Sequence, residues 1–196
     1  MISDQIKNNI ERLFQEKKYE ELILFSNKFI KNQDRPPGLD VLLGSCYFLK
    51  KKKTKDDLIN SLKFYEQAFL KGKDSIHGLS GITNYIHVSL IGAYKSDDFL
   101  PYVRNAEKYF VESEKFFNHN PDFLRLSKKL FWFQLDNQKL DYISQKMIDN
   151  PNVPVIDKSG AIFFYNYLYS WSQKKYSEQA KINSKNFLKL KVKALK

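Results

Sequence analysis

Four side chains in the 196-residue sequence belong to the types that most often act as nucleophiles or bind transition metals: Cys46, His77, His87 and His119. His77 and His87 are ten residues apart, about three helical turns, which is too far for two ligands of one metal ion. No Cys-x-x-Cys or His-Glu-x-x-His pattern occurs. Cys46 stands beside Tyr47 in an apolar stretch, which favours a buried structural thiol over a nucleophile. We therefore predict no metal site and no cofactor.

Phosphate-binding and acid–base chemistry also lack a sequence signal. Neither Gly-x-x-x-x-Gly-Lys-Ser/Thr nor Gly-x-Gly-x-x-Gly appears. The acidic pairs Asp56-Asp57 and Asp97-Asp98 stand where helical patterns begin, so capping and the helix dipole explain them. We expect a protein that is not an enzyme, and an enzyme of unrecognised type stays an alternative.

The charge of the chain offers a binding chemistry instead. A net charge of +11 is typical of proteins with an anionic partner, such as nucleic acid or a membrane surface. The lysines concentrate in two stretches, one internal and one C-terminal: Lys50, Lys51, Lys52, Lys53 and Lys55, then Lys181, Lys185, Lys189, Lys191, Lys193 and Lys196. Only four arginines accompany 29 lysines, although arginine is the usual residue for bidentate phosphate contacts. Solvation and the codon bias of an AT-rich genome explain the excess better than a functional basic surface does.

Composition also indicates a compartment. The single cysteine excludes an intramolecular disulfide and suits a reducing environment. The N-terminus is charged and amphipathic, unlike a signal peptide. The longest apolar runs, such as Ala161–Leu168, are shorter than the roughly 18–20 residues of a membrane span. We predict a cytoplasmic protein without a membrane span.

Apolar spacing and punctuation by proline, glycine and capping residues predict ten helices in five antiparallel pairs. The first follows a Ser3 cap and ends near Phe14, and the others span residues 20–32, 39–49, 57–71, 75–94, 97–117, 122–135, 138–149, 158–173 and 177–196. Asp97 or Asp98 is expected to cap the sixth, and Gly72 to take a left-handed conformation after the fourth. No alternating strand pattern competes, so we predict an all-α fold without a sheet.

A repeat underlies these pairs. Ile10 and Leu13 recur as Gly44 and Tyr47 after 34 residues, and QEKKYEELILFSNKFIK from Gln15 is echoed by SQKKYSEQAKINSKNFLK from Ser172. At Leu43-Gly44-x-x-Tyr47 and at Phe64-Tyr65-Glu66-Gln67-Ala68 the chain resembles the tetratricopeptide repeat family, including its Sel-like relatives. Lys50 and Lys52 replace the loop glycines of the Sel-like pattern, and the loop is one residue longer.

The resemblance covers one helical-repeat domain over residues 1–196. It is best over 5–85, weaker over 86–155, and returns in a terminal hairpin and cap over 156–196. It implies an α-solenoid of about five antiparallel hairpins with a concave groove that binds peptides or protein segments. It therefore implies a non-catalytic adaptor or scaffold, for example an accessory to a larger enzyme or assembly.

The resemblance also implies which side chains face the groove. An aromatic residue stands near the end of each first helix, at Phe14, Phe48, Tyr85 or Tyr94, Phe133, and Trp171. The same alignment places Lys7, Glu11, Val41 and Ser45 on the groove side. Such aromatics make rigid, large-area contacts, although in a chain with 15% aromatic residues they also serve as packing between hairpins.

Three functions follow in order of preference. The first is an adaptor whose groove binds a protein or peptide, with lysines such as Lys185 and Lys189 steering an acidic partner. The second is a helical-repeat binder of RNA or another polyanion through its lysine-rich surfaces. The third is the unrecognised enzyme.

Overall fold

The computed structural model describes residues 2–31 and 34–161, and every regular element in these ranges is helical. The helices are α1 (Asp4–Gln15), α2 (Tyr19–Phe29), α3 (Pro37–Leu49), α4 (Lys55–Lys71), α5 (Ile76–Ala93), α6 (Leu100–Phe117), α7 (Pro121–Phe133) and α8 (Asn137–Asp149). A 3-10 turn, Asp97–Phe99, precedes α6, and residues 155–161 begin a further helix. The all-α prediction is confirmed for these residues. The rest of the predicted ninth helix and the whole of the tenth lie outside them.

The chain divides into two compact units, Met1–Phe117 and Asn118–Lys196. The first unit holds α1 to α6, and the second begins with α7 and α8. Each unit is described by itself below. A single helical-repeat domain over residues 1–196 stays a prediction.

Polar side chains at the helix starts explain where several helices begin. Thr54 and Asp57 form a capping box at α4, in which the Asp57 amide donates to Thr54 Oγ1 (3.1 Å) and the Thr54 amide donates to Asp57 Oδ2 (3.0 Å). Two of the predicted caps are different. Ser96, not Asp97 or Asp98, caps the turn before α6, and Ser3 precedes α1 without a side-chain hydrogen bond.

The core of the first unit begins with side chains from α1, α2 and α3. Its buried members are Ile10, Leu13, Leu22, Ile23, Ile30, Leu39, Leu43 and Cys46. Tyr47 of α3 stacks on Phe64 of α4, with ring centroids 5.7 Å apart, and both rings pack against this cluster. Further along, α3 contacts both α4 and α5, and α5 contacts both α4 and α6. Every helix from α1 to α5 therefore packs on the next.

Gly44 and Gly81 allow close contacts of α4 with its two neighbouring helices in this unit. The Tyr65 ring lies over Gly44, where a Cβ atom would come within 2.8 Å of ring carbons. On α5, a Cβ atom at Gly81 would meet the backbone of α4, 2.7 Å from both the Tyr65 oxygen and the Phe69 nitrogen. A side chain can rotate away from such a contact, whereas helical backbone cannot. Gly81 therefore fixes the separation of α4 and α5.

An ion pair joins the start of α3 to the end of α4. Lys71, the last residue of α4, donates to the carboxylate of Asp40 (2.6 Å), which is fully buried in the first turn of α3. Burial raises the pKa of the Asp40 carboxyl, and the hydrogen bond from Lys71 opposes that rise. The pair thus joins the two ends of the hairpin at an electrostatic cost.

Two turns carry a left-handed residue that is not glycine. Lys17 has φ of 58° between α1 and α2, and Leu135 has φ of 56° between α7 and α8. Their hydrogen bonds correspond: Lys18 N donates to Leu13 O, and Asp136 N donates to Phe131 O. Gly72, predicted to be left-handed, has φ of −121°. The residues in the left-handed conformation after α1 and α7 are therefore a lysine and a leucine rather than glycines.

Candidate binding face on α3 and α5

Two rows of side chains define the candidate site, and we call them together the α3–α5 face. The α3 row is Gly38, Val41, Ser45 and Phe48, and the α5 row is His77, Ser80, Asn84 and His87. Each row advances by three or four residues, the spacing that keeps side chains on one side of a helix. Most of these residues are half-buried, so the rows lie at the surface rather than in the core.

Contacts at both ends place the two rows side by side. At one end the His77 ring lies against Gly38, where a Cβ atom would come within 2.9 Å of His77 Cε1. At the other end the rings of Phe48 and His87 pack edge-on, with centroids 5.8 Å apart and an interplanar angle of 71°. Both pairs are separated by 39 residues in the sequence. The helices α3 and α5 therefore run in parallel with this offset.

The middle of the face is polar but uncharged. Ser45 Oγ donates to the Val41 carbonyl (3.0 Å), so the hydrogen bond between Ser45 Oγ and the Tyr65 hydroxyl (3.1 Å) has Tyr65 as its donor. Ser80 Oγ donates to the Ile76 carbonyl (2.9 Å), and Asn84 Nδ2 donates to the Ser80 carbonyl (2.9 Å). Because the hydroxyl protons bond back to their own helices, the face presents small side chains and the amide group of Asn84.

The Phe48 end of the face meets the loop that connects α3 to α4. Lys53 Nζ lies 5.2 Å from the centroid of the Phe48 ring and donates to the Lys50 carbonyl (3.2 Å). An ammonium group over an aromatic face is attracted by the ring quadrupole. Phe48 therefore has a cation over its face and an edge-on contact with the His87 ring.

Only part of the predicted lysine surface keeps its charge available. Lys50 Nζ pairs with Asp57 Oδ1 (2.8 Å), and Lys55 Nζ pairs with Asp98 Oδ2 (2.6 Å). Burial raises the pKa of Asp57, but hydrogen bonds from Lys50 and Thr54 outweigh it and lower the pKa overall. Lys51, Lys52 and Lys53 are exposed and have no carboxylate partner in the part of the chain that the structure describes. Lys185 and Lys189 lie outside that part.

The predicted groove residues do not all share one surface. Val41, Ser45 and Phe48 belong to the α3–α5 face. On α1, Lys7 is exposed and paired with Asp4 (3.0 Å), and Glu11 is exposed. Phe14 is half-buried with its ring centroid 6.0 Å from that of Tyr19.

The other three predicted groove residues come from later in the chain. Tyr85 is a core residue: it is 2% exposed, its ring packs edge-on against Tyr109, and burial raises its pKa. Tyr85 is thus removed from any accessible groove surface. Phe133 is half-buried at the end of α7, and Trp171 lies outside the described residues.

At two positions of the predicted aromatic series, the structure has a different residue from the one predicted. The 39-residue offset makes His87, not Tyr85 or Tyr94, the counterpart of Phe48. The matching left-handed turns make Trp132, which is 40% exposed, the counterpart of Phe14 in place of Phe133. Sequence reasoning missed Ser80, Asn84 and His87, although their helical spacing from His77 was a usable signal.

Two kinds of reactive group, metal ligands and thiols, can be located within the described residues. No group of three or more His, Cys, Asp or Glu side chains is arranged to hold a metal ion among the described residues. Cys46 is buried, and burial raises its pKa to about 12, so its thiol is protonated at neutral pH. Within residues 2–31 and 34–161, no helix has the length and apolarity required to cross a membrane.

Comparison with known proteins adds no assignment. Family models, curated proteins and solved structures yield no significant match to this chain.

Proposed function

We propose that this protein is a non-catalytic adaptor that binds a peptide segment of a partner protein on the α3–α5 face. In this proposal the chain is an α-solenoid of about five hairpins of the tetratricopeptide type. The packing of α3 on both α4 and α5, with α3 and α5 parallel and in register, supports that architecture. A cytoplasmic location belongs to the same proposal.

The observation that carries the proposal is the uncharged, half-buried surface formed by two parallel helices. Small side chains at Ser45 and Ser80 let a peptide backbone approach closely, and the amide group of Asn84 can bond to it. Phe48 adds an apolar contact at one end. Such a surface suits an extended chain better than a small charged substrate.

The alternative, a binder of RNA or another polyanion, is less well supported. Single-stranded RNA is bound by base stacking on open aromatic faces together with cationic side chains. Phe48 has Lys53 over its ring and an edge-on contact with the His87 ring, and two of the five loop lysines already form ion pairs. The two rows of the face contain no Phe, Tyr or Trp besides Phe48, so successive bases have no second large ring on which to stack.

The test is selection of a random peptide display library by the purified chain. We expect the wild-type protein to enrich a peptide family and Ser45→Arg to lose it, because the larger charged side chain fills the middle of the face. Asn84→Arg provides a second variant on the other helix. Asn27→Arg adds the same charge to an exposed position on α2 and should leave enrichment intact.

Each variant must first show the far-UV circular dichroism and melting temperature of a folded protein. Enrichment that survives both Ser45→Arg and Asn84→Arg would place binding elsewhere, and an absence of any enriched peptide would contradict the peptide-binding function.

A further inference from the structure

We propose that the peptide bound on the α3–α5 face is acidic, and that Lys51, Lys52 and Lys53 bind its carboxylates at the Phe48 end. This inference rests on the proposed function and adds the partner's charge and its direction of approach. It joins two features of the molecule: an uncharged face, and unpaired cations at one end of it.

The loop that carries these lysines is held in place from both sides. Lys50 is fixed by its ion pair with Asp57, and its ammonium group lies 5.1 Å from the centroid of the Tyr47 ring. The capping box of Thr54 and Asp57 fixes the other end of the loop. Because both ends of the loop are held, its backbone loses less conformational entropy when the lysines bind a partner.

The carboxylates around the loop neutralise only part of its charge, although Glu20 also acts electrostatically on Lys50. Neither row of the face contains a carboxylate. Asp56, exposed in the first turn of α4, is the one acidic neighbour in the sequence that neither ion pair uses, against three exposed lysines. A positive excess therefore remains where the face ends, and it attracts a segment of opposite charge.

Helix stabilisation accounts for only some of these lysines. Cations near a helix C-terminus interact favourably with the helix dipole, and Lys50 and Lys53 lie close to the end of α3. Lys51 and Lys52 point to a different use, because they make no hydrogen bond or ion pair within the described residues. An external carboxylate supplies the missing partner.

The position of Lys53 links the loop to the face. One N–H of its ammonium group donates to the Lys50 carbonyl, while the group lies over Phe48. Its other N–H groups are available to a carboxylate. A peptide with an apolar side chain on Phe48 and acidic residues just beyond it would contact both features.

The experiment repeats the peptide display selection and measures the Asp and Glu content of the enriched peptides. We expect the wild-type chain to enrich acidic peptides. The variant Lys51→Gln/Lys52→Gln/Lys53→Gln should bind the best of them roughly tenfold more weakly, because each exposed ion pair contributes up to about 1 kcal/mol. The control Lys31→Gln/Lys63→Gln/Lys108→Gln makes the same charge change on exposed positions outside the loop and should lose less than about twofold.

The outcomes separate the two proposals. Enriched peptides of neutral composition that Ser45→Arg abolishes, with affinity unchanged in the loop variant, would overturn the acidic partner and leave the adaptor function standing. Equal losses in the loop and control variants would show a general charge effect and overturn the specific role of the loop. Tight binding of oligouridylate, lost in the loop variant and accompanied by no peptide enrichment, would overturn both proposals in favour of RNA.

Discussion

The α3–α4–α5 region and the α1–α2 hairpin both follow apolar stripes at helical spacing, yet they pack by different means. In the former, Gly44 and Gly81 bring helices close enough for backbone and ring contacts. In the latter no glycine is present, and Leu13, Leu22 and Ile23 fill the space between helices. Glycine contacts fix helix separation, whereas side-chain contacts tolerate adjustment. The candidate face lies where the separation is fixed.

The turn of the α1–α2 hairpin resembles the turn between α7 and α8 in the second unit. The two turns share a left-handed residue, the same hydrogen bonds and a helix that restarts two residues later. The chain thus uses turns with a left-handed residue as well as capped connections such as the lysine loop before α4. Four substitutions, each measured beside a control or companion variant, test this comparison.

The largest effect is expected in the side-chain-packed hairpin. Leu22→Ala should lower the free energy of unfolding by about 3 kcal/mol, because Leu22 is 0% exposed and its removal leaves a cavity. Leu24→Ala makes the same change on the same helix at a residue that is 71% exposed, and should cost less than about 0.5 kcal/mol.

Urea unfolding followed by far-UV circular dichroism measures this pair of variants. Tryptophan fluorescence is unsuitable because Trp132 and Trp171 both lie beyond the first unit. Equal costs for Leu22→Ala and Leu24→Ala would contradict the side-chain packing of α1 and α2.

The glycine-packed region should respond to the smallest possible addition. Gly81→Ala is expected to lower the free energy of unfolding by about 2 kcal/mol, because the added Cβ meets rigid α4 backbone. Gly160→Ala serves as the control, since its nearest neighbour is the flexible Lys128 ammonium at 3.5 Å. It should stabilise by up to about 1 kcal/mol through helix propensity. Effects of the same sign would break the proposed distinction.

The shared turn predicts a stabilising change. Leu135→Gly should raise the free energy of unfolding by roughly 0.5–1 kcal/mol, because glycine adopts the left-handed conformation without strain and the replaced side chain is 77% exposed. Leu135→Ala keeps the Cβ atom and should show no such gain. Trp132 fluorescence in a thermal melt reports both variants, and Lys17→Gly repeats the test in the first unit. A melting temperature lowered by Leu135→Gly would refute the strain argument.

The smallest effect is expected at the ion pair of Asp40 and Lys71 in the α3–α4 hairpin. The pKa of Asp40 is raised, so the folded protein binds this proton more tightly than the unfolded chain and loses stability as pH rises above about 4. Asp40→Asn cannot ionise, and its stability relative to wild type should improve from about pH 4 upward. Urea unfolding at a series of pH values measures the difference.

Lys71 provides the counterpart to that measurement. Lys71→Gln removes the cation that favours the ionised carboxylate, so its stability should fall more steeply over the same pH range than that of the wild type. Parallel pH profiles for Asp40→Asn, Lys71→Gln and wild type would show that the buried carboxyl has an ordinary pKa.

Helix positions were predictable because their signals are local. Pro36-Pro37, Asn120-Pro121 and the acidic pair at Asp56 stand at boundaries that agree with the structure to within about two residues. The exact capping residues were harder to predict. Ser96 and the two aspartates after it can all cap a helix, and the surrounding packing selects one of them. The left-handed turn at Leu135 was inaccessible, because leucine gives no signal for that conformation.

The candidate face was only half predictable. Val41, Ser45 and Phe48 followed from the 34-residue match, whereas Ser80, Asn84 and His87 did not. Matching residues of α3 and α5 are 39 positions apart rather than 34. This offset is set by the contact of Gly81 with α4 and of Phe48 with His87. The acceptors that pair with Lys50 and Lys55 are also set by packing, and they decide which lysines keep available charge.

The sequence by itself determined the all-α class, the approximate helix ends and the absence of a recognisable metal or nucleophile motif, because each depends on residues near one another in the chain. The tertiary structure alone decided the helix register, the burial of Tyr85, and the pairing that leaves Lys51, Lys52 and Lys53 available. Those features arise from contacts between residues distant in sequence, where small differences in packing select one register among several with similar local patterns.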